Sequence, residues 1–85
     1  MDYEIIFSDQ AFKDLTKLDK NATKRIKKKL QDIRSDPFTF AKRLKGLILF
    51  SLRVGDYRVI IDVKPSTRQI LVIKIDHRRH AYEGL

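Results

Sequence analysis

The segment Asp76-His77-Arg78-Arg79-His80-Ala81-Tyr82 gathers two imidazoles, two guanidinium groups and a phenol in one short stretch. Cations beside an aromatic ring suit single-stranded RNA. Guanidinium forks pair with phosphates, and every unstacked base offers a π-face worth roughly 1–3 kcal/mol in stacking. The same composition also occurs in solvated chain ends. A second concentration of charge is Arg53 and Arg58, which flank Gly55-Asp56. If Gly55 and Asp56 are the whole of a two-residue hairpin turn, Val54 opposes Tyr57, Arg53 opposes Arg58, Leu52 opposes Val59, Ser51 opposes Ile60 and Phe50 opposes Ile61. Like charges directly opposite each other on a sheet repel. Such a pair therefore splays into water or holds an anion, and planar guanidinium groups bind phosphate bidentately.

Other chemistries find little support. The chain has no cysteine, which removes disulfides and thiolate metal sites. His77-x-x-His80 has ligand-like spacing but no carboxylate partner, so no metal or other cofactor is expected. There is no Gly-rich phosphate loop, no serine nucleophile elbow and no carboxylate pair of recognisable spacing.

These side chains need a scaffold. Residues 3–7 alternate polar with β-forming residues and read as a strand. Ser8 then offers a helix N-cap with Asp9 in the first turn, and Ala11, Phe12, Leu15 and Leu18 follow on one stripe. Asp19 to Asn21 interrupts the pattern. Ala22, Ile26, Leu30 and Ile33 resume it in a second amphipathic helix that stops before Asp36-Pro37. The short link predicts an antiparallel helix pair. Residues 36–46 read as a loop, basic at its end with Lys42, Arg43 and Lys45. Three β-like runs follow, at 47–54, 57–63 and 69–76, separated by Gly55-Asp56 and Lys64-Pro65-Ser66-Thr67. The predicted fold is α+β, in the order β-α-α-β-β-β, with an antiparallel sheet carrying a helical hairpin on one face. The turn-derived register puts the apolar side chains of residues 50, 52, 54, 57, 59 and 61 under the helices and the arginines on the other face.

At 85 residues the chain has room for one domain, expected to span 1–85. Nineteen Lys+Arg against eleven Asp+Glu give a formal net charge of +8. Lys20, Lys24, Arg25, Lys27, Lys28, Lys29 and Arg34 meet only Asp32 in their stretch, and most lie off the apolar stripe. A positive face of this kind favours nucleic acid, an acidic protein or a membrane surface. The apolar run at 47–50 is far shorter than the ~20 residues of a membrane span, and the acidic start Met1-Asp2-Tyr3-Glu4 does not resemble a signal peptide. A reducing cytoplasm is the expected location.

In its ordered motifs the chain resembles the RelE/ParE toxin superfamily, and RelE-type messenger-RNA endonucleases in particular. The motifs are Tyr3-Glu4-Ile5-Ile6-Phe7-Ser8, Lys17-Leu18-Asp19, Ala41-Lys42-Arg43-Leu44-Lys45-Gly46, Leu52-Arg53-Val54-Gly55-Asp56-Tyr57-Arg58-Val59-Ile60 and Ile75-Asp76-His77-Arg78-Arg79-His80-Ala81-Tyr82. The resemblance implies a single toxin domain that cleaves messenger RNA in the ribosomal A site and so inhibits translation. An acidic, RelB-like antitoxin would hold it in check in a heterotetramer. The reaction is attack of a ribose 2′-OH on its own phosphate, with no metal. It requires a group to take the 2′ proton, cations for the phosphorane and an acid for the leaving 5′ oxygen.

Matched residue by residue, the resemblance implies catalytic roles for Arg58, Arg78 and the base-stacking Tyr82, and His77 is the fourth residue expected in the catalytic set. From their charge and place beside these residues, Arg53, Lys42, Arg43, Lys45, Arg79 and Ser51 are expected to hold RNA phosphates. Well-studied members carry a lysine pair on the second strand, where this chain has Leu49 and Ser51. The proton acceptor then falls to Lys45, His77 or His80, or the reaction relies on positioning. The alternative within the resemblance is a ParE-like toxin that poisons DNA gyrase by binding, without cutting RNA. A basic binding module with no toxicity is the third reading.

Overall fold

The computed structural model describes residues 2–40, 42–43 and 49–77. Strand β1 (Glu4–Phe7) runs into Ser8, whose extended backbone and side chain cap helix α1 (Asp9–Thr16). Ser8 Oγ accepts from Ala11 N at 3.0 Å, and Asp9 sits in the first turn beside the positive helix end. Asp19 does the same for helix α2 (Lys20–Ile33), accepting from Ala22 N at 2.7 Å, so this helix begins two residues before the apolar pattern resumes. Both helices lie on one face of the sheet, α1 over β5 and α2 over β3.

The expected loop after α2 contains two short elements, helix α3 (Pro37–Phe40) and strand β2 (Lys42–Arg43). Proline's fixed φ suits a first helical turn. The remaining strands are β3 (Phe50–Val54), β4 (Tyr57–Lys64) and β5 (Gln69–His77). The sheet order is β1-β5-β4-β3-β2.

The sheet is mixed, which corrects the expectation of an antiparallel one. β1 pairs with β5 in parallel, from Glu4 opposite Gln69 to Phe7 opposite Val72, while the other pairings are antiparallel. Tight turns force antiparallel pairing only between β3, β4 and β5. β1 reaches the sheet through the helices, and a crossover of that length permits parallel pairing. Its start is tied down twice by Arg34 beyond α2: Tyr3 N donates to Arg34 O at 2.9 Å and Arg34 Nε donates to Tyr3 O at 2.8 Å.

The core lies between helices and sheet. Ile26, Leu30 and Ile33 of α2 meet Leu52, Val59, Ile61, Ile70 and Val72, all of them buried. Each such side chain contributes about 1.5–3 kcal/mol by leaving water. The β3–β4 register is the one expected from a two-residue turn, with Gly55 at φ +58° supplying the left-handed position. Among the described residues no helix is long and apolar enough to cross a membrane.

Candidate nucleic-acid interface

The same alternation that turns residues 50, 52 and 54 toward the helices turns Ser51 and Arg53 to the face of the sheet away from α1 and α2. There Arg53 stands opposite Arg58, and Arg58 stands opposite Asp76 on β5. The row Arg53–Arg58–Asp76 crosses three strands, and beside it runs the row Ser51–Ile60–Lys74. Asp76 on one flank of Arg58 offsets part of the repulsion from Arg53 on the other. Its own carboxylate lies 4.0 Å from Lys74 Nζ.

Arg53 is exposed and Arg58 is half-buried. Ile60 is fully buried and Ser51 is 6% exposed, so the centre of this face is shielded from water, although among the described residues no helix packs on it. Within it Arg58 Nε is buried and has no hydrogen-bond partner. A buried donor in that state costs about 1–3 kcal/mol, and an anion that accepts from it removes the cost. The guanidinium pair is therefore suited to an oxyanion such as phosphate, and a charge that grows during reaction would be met by donors already in place.

His77 is placed differently from the arginines. It pairs with Tyr57, on the register of the helix side, and its ring stands edge-on to the Tyr57 ring with centroids 5.9 Å apart and planes at 77°. Its backbone N donates to Asp76 Oδ1 at 2.7 Å. The structure thus brings Arg53, Arg58 and Ser51 to one face and leaves His77 apart from them. The backbone of Lys42 lies opposite Ser51, and that of Arg43 opposite Phe50. Lys45, Arg78, Arg79, His80 and Tyr82 lie outside the described residues. Asp76 was not among the expected site residues. The signal for it is the β4–β5 register, which a bulge between Ile60 and Ile61 displaces.

A second surface lies between the helices. Phe12, Leu15 and Leu18 line a groove of about 650 Å³ rimmed by Lys20, Lys24 and Lys27. Phe12 is 61% exposed there, although its spacing places it on one stripe with Ala11, Leu15 and Leu18. Among the described residues no group of three or more His, Cys, Asp or Glu could hold a metal ion.

Residues 5–82 match the family of ParE toxins of type II toxin-antitoxin systems, parDE. No curated protein sequence matches the chain. Among solved structures, the RelBE2 toxin-antitoxin complex of Mycobacterium tuberculosis is similar, with TM-score 0.82 and 25% identity over 92% of this chain and 100% of that one. The archaeal RelE-RelB complex of Pyrococcus horikoshii OT3 gives TM-score 0.79 and 28% identity over 95% of this chain and 100% of that one. The intact E. coli RelBE toxin-antitoxin complex gives 0.78 and 27%, over 88% of this chain and 95% of that one. With a family match across nearly its whole length and the same fold as these relatives, the chain belongs to the ParE toxin family of type II toxin-antitoxin systems, within the RelE/ParE superfamily.

Proposed function

We propose that this toxin is a ribosome-dependent RNA endonuclease that cleaves messenger RNA in the A site by attack of a ribose 2′-OH on the adjacent phosphate. The observation that carries the reading is the Arg53–Arg58 pair on the face away from α1 and α2, with Arg58 Nε buried and unpartnered. Two arginines standing opposite each other on one face of the sheet would bind a phosphodiester and stabilise the extra negative charge of its phosphorane. Arg78 would add a second cation and Tyr82 a stacking surface, as the resemblance implies. With Leu49 and Ser51 at the lysine positions and His77 against Tyr57, acceleration comes mainly from charge stabilisation and from the ribosome's positioning of the 2′-OH. The protein would work in the cytoplasm, where ribosomes translate.

The solved relatives are complexes of toxins with their antitoxins, and this chain is proposed to have such a partner. The groove at Phe12 with its lysine rim suits an amphipathic acidic segment, whose apolar side would cover Phe12 and whose carboxylates would meet Lys20, Lys24 and Lys27. A heterotetramer follows from the same resemblance.

The second reading is gyrase poisoning by binding alone, and the absence of lysines at residues 49 and 51 favours it. One experiment separates the two. The chain is expressed in cells, and messenger-RNA 5′ ends and DNA breaks are mapped together. New RNA ends at A-site codons without DNA breaks support the endonuclease; DNA breaks with intact message overturn it.

A further inference from the structure

A basic pocket opens where α2 passes the β3–β4 turn. Arg25, Lys28, Lys29 and Arg53 line it, with Asp32, Val54 and Gly55, around a volume of about 280 Å³. Arg25, Lys28 and Lys29 stand at spacings of three and four, hence on one side of the helix. The fourth cation, Arg53, comes from the sheet. Gly55 makes the approach possible: a Cβ there would stand 3.0 Å from Arg25 Nη1 and 3.1 Å from Nη2, so the guanidinium is seated against bare backbone. Asp32 is the one carboxylate among the residues that line the pocket. Asp32 engages Lys28 at 3.3 Å, but the side chains are 77% (Lys28) and 55% (Asp32) exposed, and such pairs yield readily to a stronger anion.

Arg53 belongs to this pocket and also to the pair with Arg58. β2 pairs with β3 only at Phe50 and Ser51, so the edge of β3 at Arg53 and Val54 is not covered by it. The two basic sites therefore share Arg53. Apart from Val54 the pocket offers no large apolar side chain, whereas a protein partner needs buried apolar anchors. Phosphates spaced along a backbone need only cations.

We propose that Arg25, Lys28 and Lys29, with Arg53, form a second phosphate site that holds the sugar–phosphate backbone of RNA outside the cleaved bond. The proposal rests on the RNA reading above, and its test measures binding alone. The probe is a 12-nucleotide 2′-O-methyl RNA, which lacks the attacking hydroxyl and cannot be cut. Its affinity is followed by fluorescence anisotropy as salt is varied, for wild type, Lys28→Gln/Lys29→Gln and Lys20→Gln/Lys27→Gln. The two double variants carry the same net charge, but the second loses lysines from the Phe12 groove.

The expected result is a log–log salt slope shallower by about 1.4 in Lys28→Gln/Lys29→Gln, at roughly 0.7 per phosphate contact on a single strand, with a 10- to 30-fold loss near 0.1 M salt. The control keeps the wild-type slope. Equal losses in both variants, no loss in either, or the same selective loss with polyglutamate as probe would overturn the site. If the slope shifts as expected while expressed toxin leaves message intact, the pocket stands and the endonuclease reading fails. If message is cut and the slope does not shift, the reverse holds.

Discussion

Asp14 Oδ2 accepts a hydrogen bond from the Ile75 backbone N at 2.9 Å, which ties α1 to β5 two residues past the irregularity in its pairing with β4. Ser8 acts on the same stretch, its Oγ donating to Ile73 O at 2.7 Å. Ile60 pairs with Lys74 and Ile61 with Val72, so Ile73 is the extra residue of a bulge. The bulge moves every later residue of β5 across by one. It carries Ile75 into the core, where it is 3% exposed, and puts Asp76 beside Arg58. Side chains from α1 and its cap thus satisfy backbone groups at the bulge and just beyond it.

Replacing Asp14 with Ala leaves the Ile75 N–H without its acceptor in a buried strand. The expected cost is about 1–3 kcal/mol. At roughly 4–8 °C per kcal/mol for a domain of this size, a melt should fall well below wild type. An unchanged melting temperature would show that the bulge holds itself.

Arg58→Ala should lower ribosome-dependent cleavage by about 10²-fold or more, because the charge on the phosphorane loses its pre-placed donors. The fold should not suffer, since the substitution also removes a buried Nε that has no partner. Arg58→Lys should recover only part of the rate, because an ammonium cannot replace a two-pronged donor. Wild-type cleavage by Arg58→Ala, at unchanged thermal stability, would remove Arg58 from the site.

The β3–β4 half of the site was legible because a two-residue turn fixes register by counting, and alternation then sends Arg53 and Arg58 to one face. The β5 half was not. Counting back from Lys64 opposite Gln69 without a bulge would set Ile75 against Arg58 and turn Lys74 toward the core. The device that prevents this depends on Ser8 and Asp14, which lie far away in sequence. The parallel pairing of β1 escaped for a related reason, since a strand that returns through helices carries no turn signal for its direction. Caps and most of the two stripes were local, so Ser8, Ala11, Leu15, Ile26, Leu30 and Ile33 could be assigned from spacing alone, whereas Phe12 of the α1 stripe is exposed.

Gly55→Ala should destabilise the domain by about 1 kcal/mol or more, because φ +58° is a left-handed conformation that L side chains disfavour. The new methyl would also press on the Arg25 guanidinium. Combining it with Arg25→Ala separates the effects: relief of the contact leaves the backbone strain in place. Full recovery of stability in the double variant, followed by chemical denaturation, would assign the whole cost to Arg25.

Capture of the proposed acidic antitoxin should slow as salt rises, since a +8 protein steers an oppositely charged partner and salt screens that field. Lys20→Gln/Lys24→Gln/Lys27→Gln should lower the on-rate and flatten its salt dependence, whereas Phe12→Ala should mainly raise the off-rate through lost apolar contact. Stopped-flow association across salt tests both. On-rates that do not vary with salt would show that the complex forms without electrostatic steering.

His77 provides the last test, because the imidazole is the obvious proton acceptor by chemistry and the wrong one by position. Its ring faces Tyr57, while the guanidinium pair lies on the other face of the sheet. A base must come within hydrogen-bond reach of the proton that it removes. His77→Gln should therefore leave single-turnover cleavage of ribosome-bound message within about threefold of wild type, from about pH 5.5 to 8.5, a span that brackets the ordinary imidazole value of ~6.5. An acid limb in the wild-type rate that disappears in His77→Gln would mean that the ring leaves Tyr57 on the ribosome and takes the proton itself. A flat profile in both proteins would instead leave the acceleration to Arg58, Arg78 and the geometry that the ribosome imposes on the 2′-OH.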